Sequence, residues 1–118
     1  MRNDKENIIV KLSLEFALMI VDFAEILEEN KKYIIAKQIL RSGTSIGANI
    51  RKAQNAESKA DFIHKLKISA KEADETIYWL EICKYSKTYP YNEDLKIKLE
   101  EIIKILSKII ATSKLNNR

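Results

Sequence analysis

Both glycines of this 118-residue chain lie in one segment, Arg41-Ser42-Gly43-Thr44-Ser45-Ile46-Gly47-Ala48-Asn49-Ile50-Arg51. The sequence on either side of the segment has the apolar period of a helix. If the segment is helical as well, each glycine costs about 1 kcal/mol relative to alanine. A helix usually carries that cost where a neighbouring helix comes very close, since glycine leaves free the space that a side chain would fill. We therefore predict close helix packing at Gly43 and Gly47.

Apolar residues recur at helical spacing along four stretches of the chain. Those stretches are about 5–28, 33–56, 59–87 and 93–115. Ser58 and Asp61 have the spacing of a capping box before the third stretch, and Asn92 is a capping residue before the fourth. Because the connections are short, consecutive helices must run back along each other. The sequence thus predicts a single domain over residues 1–118 with an all-α fold, an antiparallel up-down four-helix bundle.

The first predicted helix has two apolar faces. Ile9, Phe16 and Ile20 lie on the face expected to line the core. A second apolar set lies on the opposite side at about 100° per residue. It consists of Val10, Leu14, Ala17, Leu18 and Val21. A surface helix of a monomer needs only one apolar face. We expect another molecule to cover the second face, and the protein to form a homo-oligomer.

Composition narrows the compartment and the partners without deciding the function. The formal net charge is +4 and the pI is about 9.1, which fits a nucleic-acid partner and equally fits a solvated lysine-rich surface. Cys83 is the only cysteine, which excludes an intrachain disulfide and favours a reducing cytosol. The sequence has no signal-peptide pattern and no apolar run of the roughly 20 residues that a membrane span needs. We expect a cytoplasmic protein without a membrane partner.

Seven basic residues lie on or beside the second predicted helix, and no acidic residue interrupts that helix. They are Lys31, Lys32, Lys37, Arg41, Arg51, Lys52 and Lys59. This spacing could follow a phosphate backbone, so we predict a surface that binds RNA or DNA. Because no base-reading motif accompanies the lysines, binding should tolerate sequence changes and weaken with salt. An ordinary solvated face explains the same pattern.

A polar line on the second predicted helix, Arg41, Ser45 and Asn49, has an acidic counterpart in Glu72 and Glu75 on the third. In an antiparallel bundle these groups would lie at similar heights. Arg41 would then pair with either carboxylate, and Ser45 and Asn49 would satisfy the remaining donors. One interpretation is a buried polar network that sets the register of two helices. The other is a general acid–base pair, but the chain has neither an activated nucleophile nor a phosphate-binding loop. We predict no catalytic site.

Asp61 and His64 stand at the i, i+3 spacing of the carboxylate and histidine ligands in di-iron bundles. Such a site takes two copies of the pair on two helices. His64 is the only histidine of the chain. We therefore predict neither a metal site nor a cofactor.

Two motifs resemble the signature of a bacterial protein family. The first runs from Gln38 to Ile50 and continues with Ala53, Ala56, Ser58, Asp61 and Phe62. The second is Lys71-Glu72-Ala73-Asp74-Glu75-Thr76, followed after one residue by Tyr78-Trp79-Leu80-Glu81. From about Phe16 to Ile110 the chain is similar to the four-helix-bundle proteins encoded by intervening sequences in 23S rRNA genes. A related branch is the accessory variability protein of diversity-generating retroelements.

The resemblance implies a four-helix up-down bundle assembled as a homo-oligomer, with a pentameric ring as the expected form. It also implies a basic protein that binds RNA or DNA and has no established catalytic activity. For the retroelement relatives it implies a reverse-transcriptase partner, so the alternative function is a protein–protein adaptor with no direct nucleic-acid role. The chain departs from the family at Lys52, where an acidic residue is usual, and this makes the local surface more basic.

Overall fold

Four α-helices and no strand make up residues 4–115, the part of the chain that the computed structural model describes, with side chains described for residues 8–115. The helices are α1 (Asp4–Glu29), α2 (Tyr33–Ala53), α3 (Lys59–Tyr85) and α4 (Glu93–Leu115). The all-helical fold with four helices is thereby confirmed. None of these helices is both long enough and apolar enough to cross a bilayer, within the same described range.

Two helices end earlier than the apolar pattern predicts. In α2 the α-helix stops at Ala53, because the N–H groups of residues 54–56 donate to carbonyls three residues back instead of four. This is the tighter 3₁₀ type of turn that often closes a helix. α3 stops at Tyr85, because the backbone at Ser86 is extended, with φ −86° and ψ 128°.

Side-chain caps determine where α3 and α4 begin. The Ser58 hydroxyl accepts a hydrogen bond from the N–H of Asp61 at 3.0 Å, and the Asp61 carboxylate accepts one from the N–H of Glu57 at 3.3 Å. This is the reciprocal arrangement of a capping box, shifted by one residue on the carboxylate side. The Asn92 side-chain oxygen accepts a hydrogen bond from the N–H of Asp94 at 3.0 Å.

The turn between α1 and α2 contains a non-glycine residue in the left-handed region, Lys31, with φ 64°. The N–H of Lys32 donates to the carbonyl of Leu27 at 2.8 Å, and the N–H of Lys31 donates to that of Glu28 at 2.9 Å. These two bonds form a Schellman motif, in which glycine is the residue usually found at the left-handed position.

The four helices surround one apolar core. α1 and α3 each pack against both α2 and α4, and the diagonal pairs make no close backbone contact within residues 4–115. Every helix contributes fully buried side chains, such as Phe16, Ile46, Leu80 and Leu99. Burying one such side chain contributes about 1.5–3 kcal/mol. Cys83 lies in this core, and its burial raises the pKa of the thiol to about 11.

The glycine segment is helical throughout and lies against α1. A Cβ built on Gly43 would lie 2.9 Å from two side-chain carbons of Ile20. A Cβ built on Gly47 would lie 3.3 Å from the backbone oxygen of Ser13. Gly47 therefore leaves room for the main chain of α1, and Gly43 leaves room for a buried side chain of the same helix.

Candidate nucleic-acid and assembly surfaces

Arg41 of α2 is bound by two carboxylates of α3. Its Nη1 donates to both oxygens of Glu72 at 3.2 Å, and its Nη2 donates to Glu75. The indole N–H of Trp79 donates to the same Glu75 carboxylate at 2.9 Å. The pairing of Arg41 with Glu72 and Glu75 that the sequence predicted is therefore present. The Arg41 side chain is 48% exposed, so the cluster lies at the surface and is not a buried network. Since two carboxylates face one guanidinium, the cluster offers little positive potential to a phosphate.

The pKa of Glu75 does not suit a general acid. Hydrogen bonds from Trp79 and then Arg41 lower the pKa of the Glu75 carboxyl. Glu75, in turn, raises the pKa of Arg41. A general acid that works near neutral pH needs a carboxyl pKa shifted upward. The pKa of Glu75 is shifted the other way, which argues against Glu75 as a general acid.

Ser45 and Asn49 lie on α2 beside Arg41 but do not complete its hydrogen bonding. The Ser45 hydroxyl donates to the carbonyl of Arg41 at 2.6 Å, and the Asn49 amide donates to the carbonyl of Ser45 at 2.9 Å. Both side chains bond to the carbonyl four residues earlier in their own helix, as short polar side chains in helices commonly do. The sequence analysis expected Ser45 and Asn49 to accept hydrogen bonds from Arg41. They donate to their own helix instead, because the carbonyl four residues back is always within reach.

A buried polar contact that the sequence analysis missed joins α2 and α3 near this cluster. The hydroxyls of Ser42 and Thr76 lie 2.9 Å apart and share a hydrogen bond. One turn along, the Ser69 hydroxyl donates to the Ile46 carbonyl at 2.8 Å. Ser42, Ser69 and Thr76 have no exposed surface. The sequence signal for this contact was that the three hydroxyl side chains occupy core positions in the apolar pattern of α2 and α3.

The seven basic residues of the predicted nucleic-acid surface do not form one patch. Lys31 and Lys32 lie at the α1–α2 turn, where the Lys32 ammonium donates to Thr88 at 3.0 Å and sits 4.8 Å from the centre of the Tyr89 ring. Arg51 and Lys52 are exposed at the other end of α2, about 30 Å away at 1.5 Å per residue. Lys37 is exposed between them, Arg41 is held by its two carboxylates, and Lys59 is the exposed first residue of α3.

The second apolar face of α1 is exposed and continues across the glycine contact onto α2. Leu14 is 50% exposed and Leu18 59% exposed. A shallow groove beside them is lined by Ala17, Thr44, Ala48 and Arg51 among others. We name the combined surface the α1–α2 apolar strip. It consists of Leu14, Ala17, Leu18, Val21, Leu40, Thr44 and Ala48.

Comparison with known proteins places the chain in a family. The sequence profile of the 23S rRNA-intervening sequence protein matches residues 5–109. The chain belongs to this family. The resemblance predicted from the two sequence motifs is thereby confirmed, and the matched range reaches into all four helices of this family member.

A solved structure shares the fold. It is the 1.70 Å crystal structure of a protein of unknown function from the S23 ribosomal protein family of Bacteroides thetaiotaomicron VPI-5482. The two sequences are 47% identical over 91% of this chain and 98% of that chain, with a TM-score of 0.86. No curated protein matches this chain significantly.

Proposed function

We propose that this member of the 23S rRNA-intervening sequence protein family is a non-enzymatic, homo-oligomeric bundle that binds nucleic acid, RNA or DNA, in the cytoplasm. The observation that carries the proposal is an excess of exposed, uncompensated cations. Arg51, Lys52 and Lys59 are exposed, and none forms an ion pair with a described acidic side chain. A surface of this kind attracts a polyanion and releases its counterions.

An antiparallel up-down order of the helices is part of the proposal. Gly43 of α2 faces Ile20 of α1, while Gly47 faces Ser13, so residue numbers rise along one helix as they fall along the other. The Ser42–Thr76 and Ile46–Ser69 hydrogen bonds have the same reversed order between α2 and α3. Both sets of contacts support an up-down bundle with short connections.

The α1–α2 apolar strip supports self-association. Apolar side chains on two adjoining helices gain free energy when another protein surface removes them from water. We propose that a second copy of the chain covers the strip, in a closed ring for which the family resemblance suggests five subunits. Light scattering should then give a mass of five times the 13.7 kDa chain mass. A mass equal to that of one chain would contradict this assembly.

The nucleic-acid role is tested by titrating the protein into fluorescein-labelled RNA or DNA. Fluorescence anisotropy measures the affinity at 50 and 200 mM salt. We expect binding that tolerates changes in base sequence and weakens steeply as salt rises, because contacts to phosphates carry no sequence information. If neither polymer binds at 50 mM salt, the proposed nucleic-acid role is wrong.

The α1–α2 apolar strip also favours a second function, a protein–protein adaptor for a partner such as a reverse transcriptase. In that case the strip would hold a different chain and the basic residues would serve solubility. Purification from the native host separates the two functions. An adaptor should co-purify with one protein partner in a fixed stoichiometry. Substitution of Leu14 or Leu18 should release that partner, and nuclease treatment should leave the complex intact.

A further inference from the structure

The two ends of the bundle carry opposite net charge, although the chain as a whole is only +4. Residues 8–13, 48–71 and 104–115 contain ten basic and two acidic residues. We name this part the basic end. Residues 14–47 and 72–103 contain eight basic and thirteen acidic residues, and we name this part the acidic half. The molecule measures 50 × 20 × 20 Å, so the two charge groups are separated along its long axis.

Contacts between helices bring the parts of the basic end together. Its α1 portion ends at residue 13 and its α2 portion begins at residue 48. These two boundaries meet where Ser13 lies against Gly47. The limits of its α2 and α3 portions meet close to the hydrogen bond from Ser69 to Ile46. The α3 and α4 portions meet where the Lys114 ammonium lies close enough to lower the pKa of Lys67.

The positive charge of the basic end has little internal compensation. Among the described side chains, its single ion pair joins Lys65 to Asp61 at 3.1 Å. In α4 no acidic residue follows Glu101 before the helix ends at Leu115. Lys67, Lys71 and Lys114 are exposed. The ammonium groups of Lys114 and Lys71 lie close enough to Lys67 to repel its charge. A phosphate oxygen between these groups would relieve the repulsion.

We propose that the basic end, through Lys67 and Lys71 of α3 and Lys114 of α4, is the surface that contacts the nucleic-acid backbone. This deepens the proposed function and rests on it. Screening limits each phosphate to charges within about 8–10 Å. A nucleic acid therefore responds to the local charge and not to the net charge of the chain, and the acidic half repels it.

This assignment replaces α2 as the principal binding element. Of the predicted α2 surface, Arg51, Lys52 and Lys59 lie in the basic end, while Lys31, Lys32 and Lys37 lie in the acidic half. In a cyclic oligomer whose helices run along the ring axis, symmetry puts every basic end on the same face. One strand could then contact several subunits, which raises the apparent affinity without any new type of contact.

The experiment compares two triple variants that change the net charge equally. One is Lys67→Gln, Lys71→Gln and Lys114→Gln in the basic end. The matched control is Lys31→Gln, Lys37→Gln and Lys87→Gln in the acidic half, where all three lysines are also exposed. Each variant is titrated against labelled 20-nucleotide RNA and DNA at 50, 100 and 200 mM salt, and circular dichroism melting checks that both remain folded.

We expect the basic-end variant to bind at least tenfold more weakly at 100 mM salt. Its slope of log affinity against log salt should fall by about 0.7–0.9 for each lost phosphate contact. The control should stay within about twofold of the wild type, because it changes only charges distant from the bound phosphates. If the basic-end variant loses more affinity for one polymer than for the other, the polymer with the larger loss is the ligand.

Two other results would overturn the proposal in distinguishable ways. Equal losses in both triple variants, or a larger loss in the control, would reject the basic end while leaving nucleic-acid binding intact. Wild-type protein that binds neither polymer at 50 mM salt would reject the proposed function and this assignment together.

Discussion

The side chain of Ile20 in α1 fills the space that a side chain at Gly43 in α2 would need. A Cβ at position 43 would lie 2.9 Å from both Cγ1 and Cγ2 of Ile20, which has no exposed surface. A branched, fully buried side chain cannot turn aside without disturbing the core. The contact therefore requires glycine at position 43 even though glycine weakens the helix.

Gly43→Ala should lower the free energy of unfolding by up to about 2 kcal/mol, because an overpacking cost of about 1–3 kcal/mol exceeds the gain in helix propensity of about 1 kcal/mol. Urea denaturation of Gly43→Ala, Ile20→Ala and the double variant would measure the coupling. The double variant should be more stable than the sum of the two single effects predicts, because Ile20→Ala removes both clashing carbons. Strict additivity would mean that the clash does not exist.

Lys31→Gly should stabilise the protein by about 1 kcal/mol. Lys31 has φ 64°, and a side chain in the left-handed region costs about 1–2 kcal/mol, part of which the greater freedom of glycine in the unfolded chain offsets. Lys37→Gly, in the interior of α2, is the matched control and should destabilise by about 1 kcal/mol. Chemical denaturation of both variants should show opposite signs. A loss of stability in Lys31→Gly would argue against the left-handed conformation.

Glu75→Gln should lower stability at pH 7, and by less at pH 3. In the folded state, the pKa of Glu75 lies below its ordinary value of 4.5 because of Trp79 and Arg41. A carboxyl with a lowered folded pKa stabilises the protein above its unfolded pKa, and that stabilisation is lost as the pH falls through the folded pKa. Thermal unfolding of both proteins between pH 7 and pH 3 should show the difference shrinking below about pH 4.5. A difference that stays constant over this range would remove the ionised carboxylate as its cause.

Leu18→Lys should reduce or abolish self-association. Leu18 is 59% exposed in the α1–α2 apolar strip, and Ile97, which is 58% exposed, lies on α4 and is not part of the strip. Ile97→Lys is therefore a control with the same charge and a closely matched loss of apolar surface. Light scattering should give a lower mass for Leu18→Lys and the wild-type mass for Ile97→Lys. The opposite pattern would locate the subunit contact on α4.

Much of the fold follows from local rules and was predictable. Four apolar periods indicate four helices, and the capping residues Ser58 and Asn92 mark two helix starts to within a residue. The second apolar face on α1 is visible as a repeat of Leu14, Leu18 and Val21. These features depend on residues within about four positions of each other, so the chain reveals them before any tertiary contact is known.

The interaction surfaces were less predictable, because they depend on which helix ends meet. The pairing of Arg41 with Glu72 or Glu75 was predicted, but the exposure of this cluster and the hydrogen bond from Trp79 to Glu75 were not. Lys67 and Lys114 are 47 residues apart in sequence and are close only because α3 and α4 pack together. Charge interactions act through space over about 10 Å, and linear order does not report those distances.

The sequence alone determined the number of helices, their apolar faces and the positions of the glycines, since each of these features depends on backbone geometry over one or two turns. The division of charge between the ends, the exposure of the Arg41 cluster and the Ile20–Gly43 contact arose when the helices packed. They depend on the register of one helix against the next, and a shift of one turn moves every such contact by about 5.4 Å. That register is set by interlocking side chains from all four helices, which no single segment contains.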